Sequence, residues 1–156
     1  MSTAASDSTA TEFERSVLAA IPLTRAMQLR VQDYDGDRLV LAAPLAPNIN
    51  DKGCAFGGSL VGLLTLAGWG LLVLRLRSEG RSCDVFVQDS EVRYLAPVWG
   101  DFTAEARLGD GESWSSFSAA LATRGRARIG VRCRVPLATG GDACTLTARF
   151  VAIVAQ

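Results

Sequence analysis

Histidine is absent from the 156 residues, and lysine occurs once, at Lys52. Without imidazole there is no Ser-His or Cys-His pair, and both the commonest general base and the commonest metal ligand are missing. Any catalysis must therefore use carboxylates, amides, hydroxyls or backbone dipoles, and neither a metal nor a cofactor is expected. Net charge is lacking as well, because 16 basic residues offset 16 acidic ones. That balance gives no pull toward nucleic acid or an anionic membrane, so a small or neutral partner is expected. The four cysteines, Cys54, Cys83, Cys133 and Cys144, show no C-x-x-C spacing and lie in apolar or strand-like segments, as reduced structural thiols of a cytoplasmic protein do. Residues 1–10 have neither a basic n-region nor an apolar h-region. They are expected to form a disordered tail before a single domain over 11–156.

What the chain does have is a polar, glycine-bearing loop, Asn48 to Gly58, running directly into the apolar stretch Leu60 to Leu74. A helix starting near Gly57 leaves its first N–H groups unpaired and its positive dipole end facing the loop, a place for a carbonyl oxygen or an anion. Gly53 to Leu74 is uncharged for 22 residues, long enough to cross a bilayer. The glycines in the run, its loop-like beginning and the alternating strands that follow favour a helix enclosed by a sheet in a soluble protein.

The remaining elements follow from capping, periodicity and turn signals. Thr11 and Glu14 form a capping-box pattern before Phe13, Val17, Leu18 and Ile21, predicting a helix over 11–21 that stops at Pro22. Extended runs on either side of Asp35-Gly36-Asp37 predict a hairpin. After the central helix, expected over 57–78, residues 83–95 predict a long strand, with Phe86, Gln88, Ser90, Val92 and Tyr94 on one face and Val85, Val87, Asp89, Glu91 and Arg93 on the other. A strand over 101–108 and an amphipathic helix over 112–123 come next. In the following strand Arg126, Arg128, Arg132 and Arg134 form a guanidinium ladder, either a solvated sheet face or a site for phosphate or an acidic partner. A last strand covers 144–154. One long apolar helix is the only element large enough to cover the apolar face of such a sheet. The expected fold class is α+β, a curved antiparallel sheet wrapped around a central helix in the hotdog arrangement.

Asn50-Asp51-Lys52-Gly53-Cys54-Ala55-Phe56-Gly57-Gly58 resembles the N-x-x-G-x-x-H-G-G signature of hotdog acyl-CoA thioesterases, and residues 11–154 look like a YiiD-C-type thioesterase domain. The resemblance extends through Pro47–Gly53, Phe56–Ser59, Thr65–Gly70, Arg93–Val98 and Gly125–Arg128. It implies hydrolysis of an acyl-CoA or acyl-carrier-protein thioester, with the carbonyl against the N–H of Gly57 or Gly58 and Asn50 orienting water or carbonyl. It also implies a site between subunits, so a homodimer or a dimer of dimers is expected. Phe56 stands where the signature has histidine, and Thr65 stands where many relatives carry the acid on the helix. The base must then come from elsewhere, with Asp51 the first candidate and Asp89 the second, and Ser90 or Gln88 positioning water. Phe56, Ser59, Thr65, Ser90 and Lys52 complete the candidate substrate-binding set, Lys52 either holding Asp51 ionised or meeting a phosphate. The alternative is a non-catalytic binder of acyl thioesters or lipid-like ligands on the same fold.

Overall fold

A computed structural model describes residues 2–156. Helix α1 (Ser2–Ala20) and the short α2 (Pro22–Met27) precede strands β1 (Arg30–Tyr34) and β2 (Arg38–Ala43). A single 3-10 turn at Ala46–Asn48 leads through the glycine-bearing loop to α3 (Gly57–Ser78), followed by β3 (Cys83–Tyr94), β4 (Phe102–Leu108), α4 (Trp114–Arg124), β5 (Arg126–Pro136) and β6 (Asp142–Val154). The strands form one antiparallel sheet in the order β1-β2-β4-β5-β6-β3. Because β2 pairs with β4 rather than β3, the chain passes from one end of the sheet to the other through α3.

Alternation along each strand supplies the face that α3 needs. Ala127, Ile129, Val131, Cys133 and Val135 of β5 are buried, as are Cys144, Leu146, Ala148, Phe150 and Ala152 of β6. They close over Leu63, Leu64, Ala67, Leu71, Leu72 and Leu74 of α3, each fully shielded from solvent. α3 packs against β2, β3, β4, β5 and β6, which is the expected hotdog arrangement. Two glycines make this approach possible. A Cβ on Gly68 would lie 2.9 Å from Phe150 Cε2, and one on Gly70 would lie 2.7 Å from Phe13 Cζ. α3 is long and apolar enough to cross a membrane, with mean hydropathy 1.8 in its most apolar window, and 56% of that window is buried by the rest of the chain.

Helix α4 closes the end of the barrel-like core that carries the C-terminus of α3. Ser113 caps it by accepting the Ser116 N–H, Trp114 Nε1 donates to Asp37 Oδ1 at 3.1 Å, and the Arg75 guanidinium lies 5.1 Å over the Trp114 ring.

Two expectations are corrected. The first helix begins at Ser2, well before Thr11, and Thr11 Oγ1 donates to the Asp7 carbonyl within it, so Thr11 is not its cap. Glu14 turns instead to β1, accepting the Val31 N–H at 2.7 Å and meeting Arg30 at 3.2 Å. The alternation assigned to β3 also fails halfway. Its pairing with β6 slips between Val87 and Asp89, and a bulge at Gln88 reverses the faces beyond it. Val85 and Val87 therefore share the α3 side with Ser90, Val92 and Tyr94, while Phe86, Asp89, Glu91 and Arg93 lie on the outer side.

Candidate active site

α3 begins in an unusual way for a helix with so apolar a body. Phe56 occupies the cap position in an extended conformation, no side chain caps the first turn, and no acidic residue lies in it. The Ser59 and Leu60 N–H groups both donate to the Phe56 carbonyl. Among the described residues nothing accepts from the N–H groups of Gly57 and Gly58. Two unpaired donors at the positive end of a 22-residue helix suit an oxygen that gains negative charge.

Two aromatic rings flank those donors. The Phe56 ring folds back so closely that a Cβ on Gly58 would lie 2.3 Å from its Cε1, and the Tyr94 ring would meet a Cβ on Gly57 at 3.3 Å. Phe56 and Tyr94 are 55% and 59% exposed, so in the single chain these rings form an open rim around the donors. Exposed Ile49, Leu95 and Trp99 belong to the segments that join this end of the molecule. Tyr94 was not singled out from sequence, although the signal was present in its alternation with Ser90 and Val92 toward α3.

The loop that delivers Phe56 is held from below by Asn48, a second residue the sequence left unassigned. Its side chain is buried, and Nδ2 donates to the carbonyls of Met27 (3.0 Å) and Pro44 (2.8 Å). Its own carbonyl accepts the Phe56 N–H at 2.7 Å, and Val98 accepts the Ala55 N–H at 2.8 Å. Asn50 shapes the loop: Oδ1 accepts the N–H groups of Lys52 and Cys54, and Nδ2 reaches Cys54 Sγ at 3.1 Å. Gly53, at φ +87, makes the left-handed turn this closure requires. The side chain of Asn50 is thus engaged by its own loop, and its structural task is to fix the path to Gly57.

The remaining candidates divide between two sides of the sheet. Ser59 and Thr65 are half-buried on α3, and Thr65 lies two turns on from Gly57, roughly 12 Å along the axis. Ser90 is exposed on the α3 side of β3. Asp51 is exposed in the loop and pairs with the equally exposed Lys52 at 2.9 Å. Asp89 lies beside Arg149 on the outer side, away from α3. The bulge at Gln88 is the reason, since it turns the whole Asp89–Arg93 half of the strand over.

The arginine ladder is also on the outer side. Arg134 meets Asp142 at 2.6 Å and Arg132 meets Asp110 at 2.9 Å, while Arg38 bonds Glu105 at 2.8 Å and Arg107 lies 3.3 Å from the same carboxylate. Burial alone would raise the Glu105 pKa, but the hydrogen bonds from Arg38 and Arg107 outweigh it and hold the carboxyl below its ordinary range. Half the ladder is therefore neutralised within the sheet face. The four cysteines are free thiols, and burial pushes Cys133 up to about 12 despite a bond involving the Gly68 backbone, which keeps it inert. No group of three or more Cys, Asp or Glu side chains suited to a metal occurs among the described residues.

The family described as "Putative thioesterase (yiiD_Cterm)" matches residues 10–154. A protein of unknown function from Chlorobaculum tepidum TLS is 28% identical, with a TM-score of 0.89 over 96% of this chain and 97% of that one. A putative thioesterase from Shewanella oneidensis is 26% identical, with a TM-score of 0.83 over 94% of this chain and 99% of that one. The fold is shared further by a chain from Pseudomonas aeruginosa called a "Probable Thioesterase", 24% identical, with a TM-score of 0.78 over 93% and 96% of the two chains. With a six-stranded sheet closed around one apolar helix and the family matched over nearly its whole length, this chain belongs to the YiiD_C putative thioesterases, a hotdog family of thioester hydrolases.

Proposed function

We propose that this protein hydrolyses an acyl thioester, carried on CoA or an acyl-carrier protein, at the head of α3. The reading rests on the unpaired N–H groups of Gly57 and Gly58, set between the Phe56 and Tyr94 rings. A thioester carbonyl accepting from one or both donors is polarised, and the same donors stabilise the oxyanion when water adds. The new C–O bond forms, the C–S bond breaks, and the products are a carboxylate and a free thiol. Asp51 is the base we assign to take the proton from water, because it stands in the loop that delivers Gly57, whereas Asp89 faces away from α3. Lys52 meets the Asp51 carboxylate at 2.9 Å. Ser59, Thr65 and Ser90 offer hydroxyls along the flank of α3 that would line the acyl side of the site.

β3 is one of the two edge strands of the sheet, 12 residues long and largely exposed, with Val87 46% and Tyr94 59% accessible. An unpaired edge of that length favours pairing with a second copy, and we place the working protein in the cytoplasm as a homodimer. The deciding experiment is release of free thiol from short, medium and long acyl-CoAs by the wild type, Asp51→Ala and Asp89→Ala. Release by the wild type and by Asp89→Ala, with loss in Asp51→Ala, supports the assignment. Binding of several acyl-CoAs without cleavage would instead make the protein a thioester binder, an outcome that the threonine at position 65 makes chemically coherent. Full activity in Asp51→Ala would remove Asp51 as the base.

A further inference from the structure

The sheet encloses most of α3 but leaves one strip of it half-covered. Gly57, Val61, Thr65, Trp69 and Val73 recur every fourth residue, so they stack along one line down the helix, and each is only half-buried, as are Gly62 and Leu66 beside them. β3 runs along one side of this line, because Tyr94 lies against Gly57 at its start and Val85 meets Trp69 further down. On the other side, Met27 Cε of α2 lies 3.9 Å from where a Cβ on Gly62 would stand. No charged residue occurs between Lys52 and Arg75, and Thr65 gives the strip its one hydroxyl. It therefore suits an apolar chain and gives a charged group no partner.

Trp69 interrupts the strip. Its Nε1 donates to the Val85 carbonyl of β3 at 3.1 Å, and its ring lies 6.0 Å from the ring of Phe13 in α1. Phe13 is itself fixed, fully buried in the notch that Gly70 leaves. The indole is thus held from both sides, by a hydrogen bond to β3 and by an aromatic contact to α1. Beyond it a cleft of about 560 Å³ opens toward the far end of α3, with Trp69 as one wall and Val73, Arg77, Arg81, Cys83 and Val85 among the others.

We propose that Trp69 sets the length of the acyl chain: the chain runs from the carbonyl donors down this strip and ends against the indole, so the preferred substrate carries a straight, uncharged acyl group of about ten carbons. Trp69 lies three turns on from Gly57, roughly 18 Å along the axis. Its side chain leans back toward the helix start by about one turn, ~5 Å, which leaves ~13 Å of open strip. An extended chain advances ~1.2 Å per bond, as a polypeptide does in covering ~3.6 Å with three bonds, so about ten carbons fill that length. The inference rests on the carbonyl site at the head of α3 and adds what that site selects.

Each methylene drawn from water onto the strip should tighten binding about two- to fourfold. Calorimetric titration with S-alkyl-CoA thioethers from butyl to hexadecyl, which cannot be hydrolysed, should therefore show affinity climbing to about ten carbons and then levelling. In Trp69→Ala the climb should continue to hexadecyl, since the strip then joins the cleft beyond. Trp69→Phe keeps a ring beside Phe13 and should keep a limit close to that of the wild type. Gly62→Leu fills the strip without disturbing the helix, because its Cβ meets only Met27 at ordinary contact distance. That variant should shorten the limit to about six carbons, the length that ~7.5 Å of helix allows, and it decides the matter if Trp69→Ala does not fold. The inference is overturned by a wild-type climb unbroken to hexadecyl, by an unchanged limit in Gly62→Leu or in folded Trp69→Ala, or by no binding at any length. A limit near ten carbons without release of thiol from acyl-CoAs would refute the hydrolase reading alone, and thiol release with no length limit would refute this inference alone.

Discussion

Substituting Gly58 by alanine separates the fold from the chemistry, because the two are expected to respond in opposite directions. The new Cβ would stand 2.3 Å from Phe56 Cε1, 2.9 Å from Cζ and 3.0 Å from Cδ1, so the ring must leave its place. Phe56 is 55% exposed and can swing outward at little expense in packing. Alanine is favoured over glycine in a helix by up to ~1 kcal/mol, so the variant should be as stable as the wild type or slightly more so. For a chain of this length that corresponds to a rise in Tm of at most ~2–4 °C. The rate should nonetheless fall. If the Phe56 ring and the Gly58 N–H together hold the carbonyl, displacing the ring and crowding the donor should lower kcat/KM by roughly 100-fold, the usual scale for losing one oxyanion donor. Thiol release measured beside a thermal melt tests this directly. Phe56→Ala should lose the ring without the gain in helix stability. A Gly58→Ala protein that keeps kcat/KM within a factor of about two would mean that neither the ring nor the donor acts on the thioester.

Three other perturbations address the scaffold. Asn48→Ala removes both donors that tie Met27 and Pro44 to the loop, and with each bond worth ~0.5–1.5 kcal/mol, denaturant unfolding should show a loss of roughly 1–3 kcal/mol. Gly68→Ala drives a methyl to 2.9 Å from Phe150 and 3.0 Å from Val131 in the core. Overpacking of about 1–3 kcal/mol exceeds the helix gain of up to ~1 kcal/mol, so this variant should melt below the wild type, unlike Gly58→Ala. Glu105 contributes stability through the Arg38 and Arg107 contacts while it is ionised, and its folded pKa lies below the unfolded one. That contribution is present above the ordinary carboxylate range and is lost as pH falls through the lowered folded value. Unfolding followed from neutral to acid pH should therefore show a shallower acid decline for Glu105→Gln than for the wild type.

The sequence made the core legible because hydrophobic patterning there is strong and local. The 57–78 helix, the 101–108 strand and the arginine-bearing strand all lie within a residue or two of their expected bounds. Pro22 was read as a stop, yet it also begins α2, since its missing N–H is harmless in a first turn. What stayed hidden depends on partners distant in the chain. The bulge at Gln88 arises from pairing with β6, and a two-residue period read along β3 alone cannot reveal it. That single slip moves Asp89 from the site to the opposite face and brings Tyr94 to Gly57. Asn48 went unassigned because its two acceptors, Met27 and Pro44, become neighbours only when the chain folds. Gly57 and Gly58 were legible for the opposite reason: unpaired N–H groups are a property of any helix start, and only the absence of a cap had to be added.

The most direct test is a crystal structure with a non-hydrolysable thioester analogue, in which the distances from its carbonyl oxygen to the Gly57 and Gly58 nitrogens are measured. The account predicts at least one distance of ~2.7–3.1 Å, with the Phe56 and Tyr94 rings against the ligand. An analogue seated elsewhere, such as on the outer face beside Arg132 and Arg134, with both glycine N–H groups left unengaged, would contradict it.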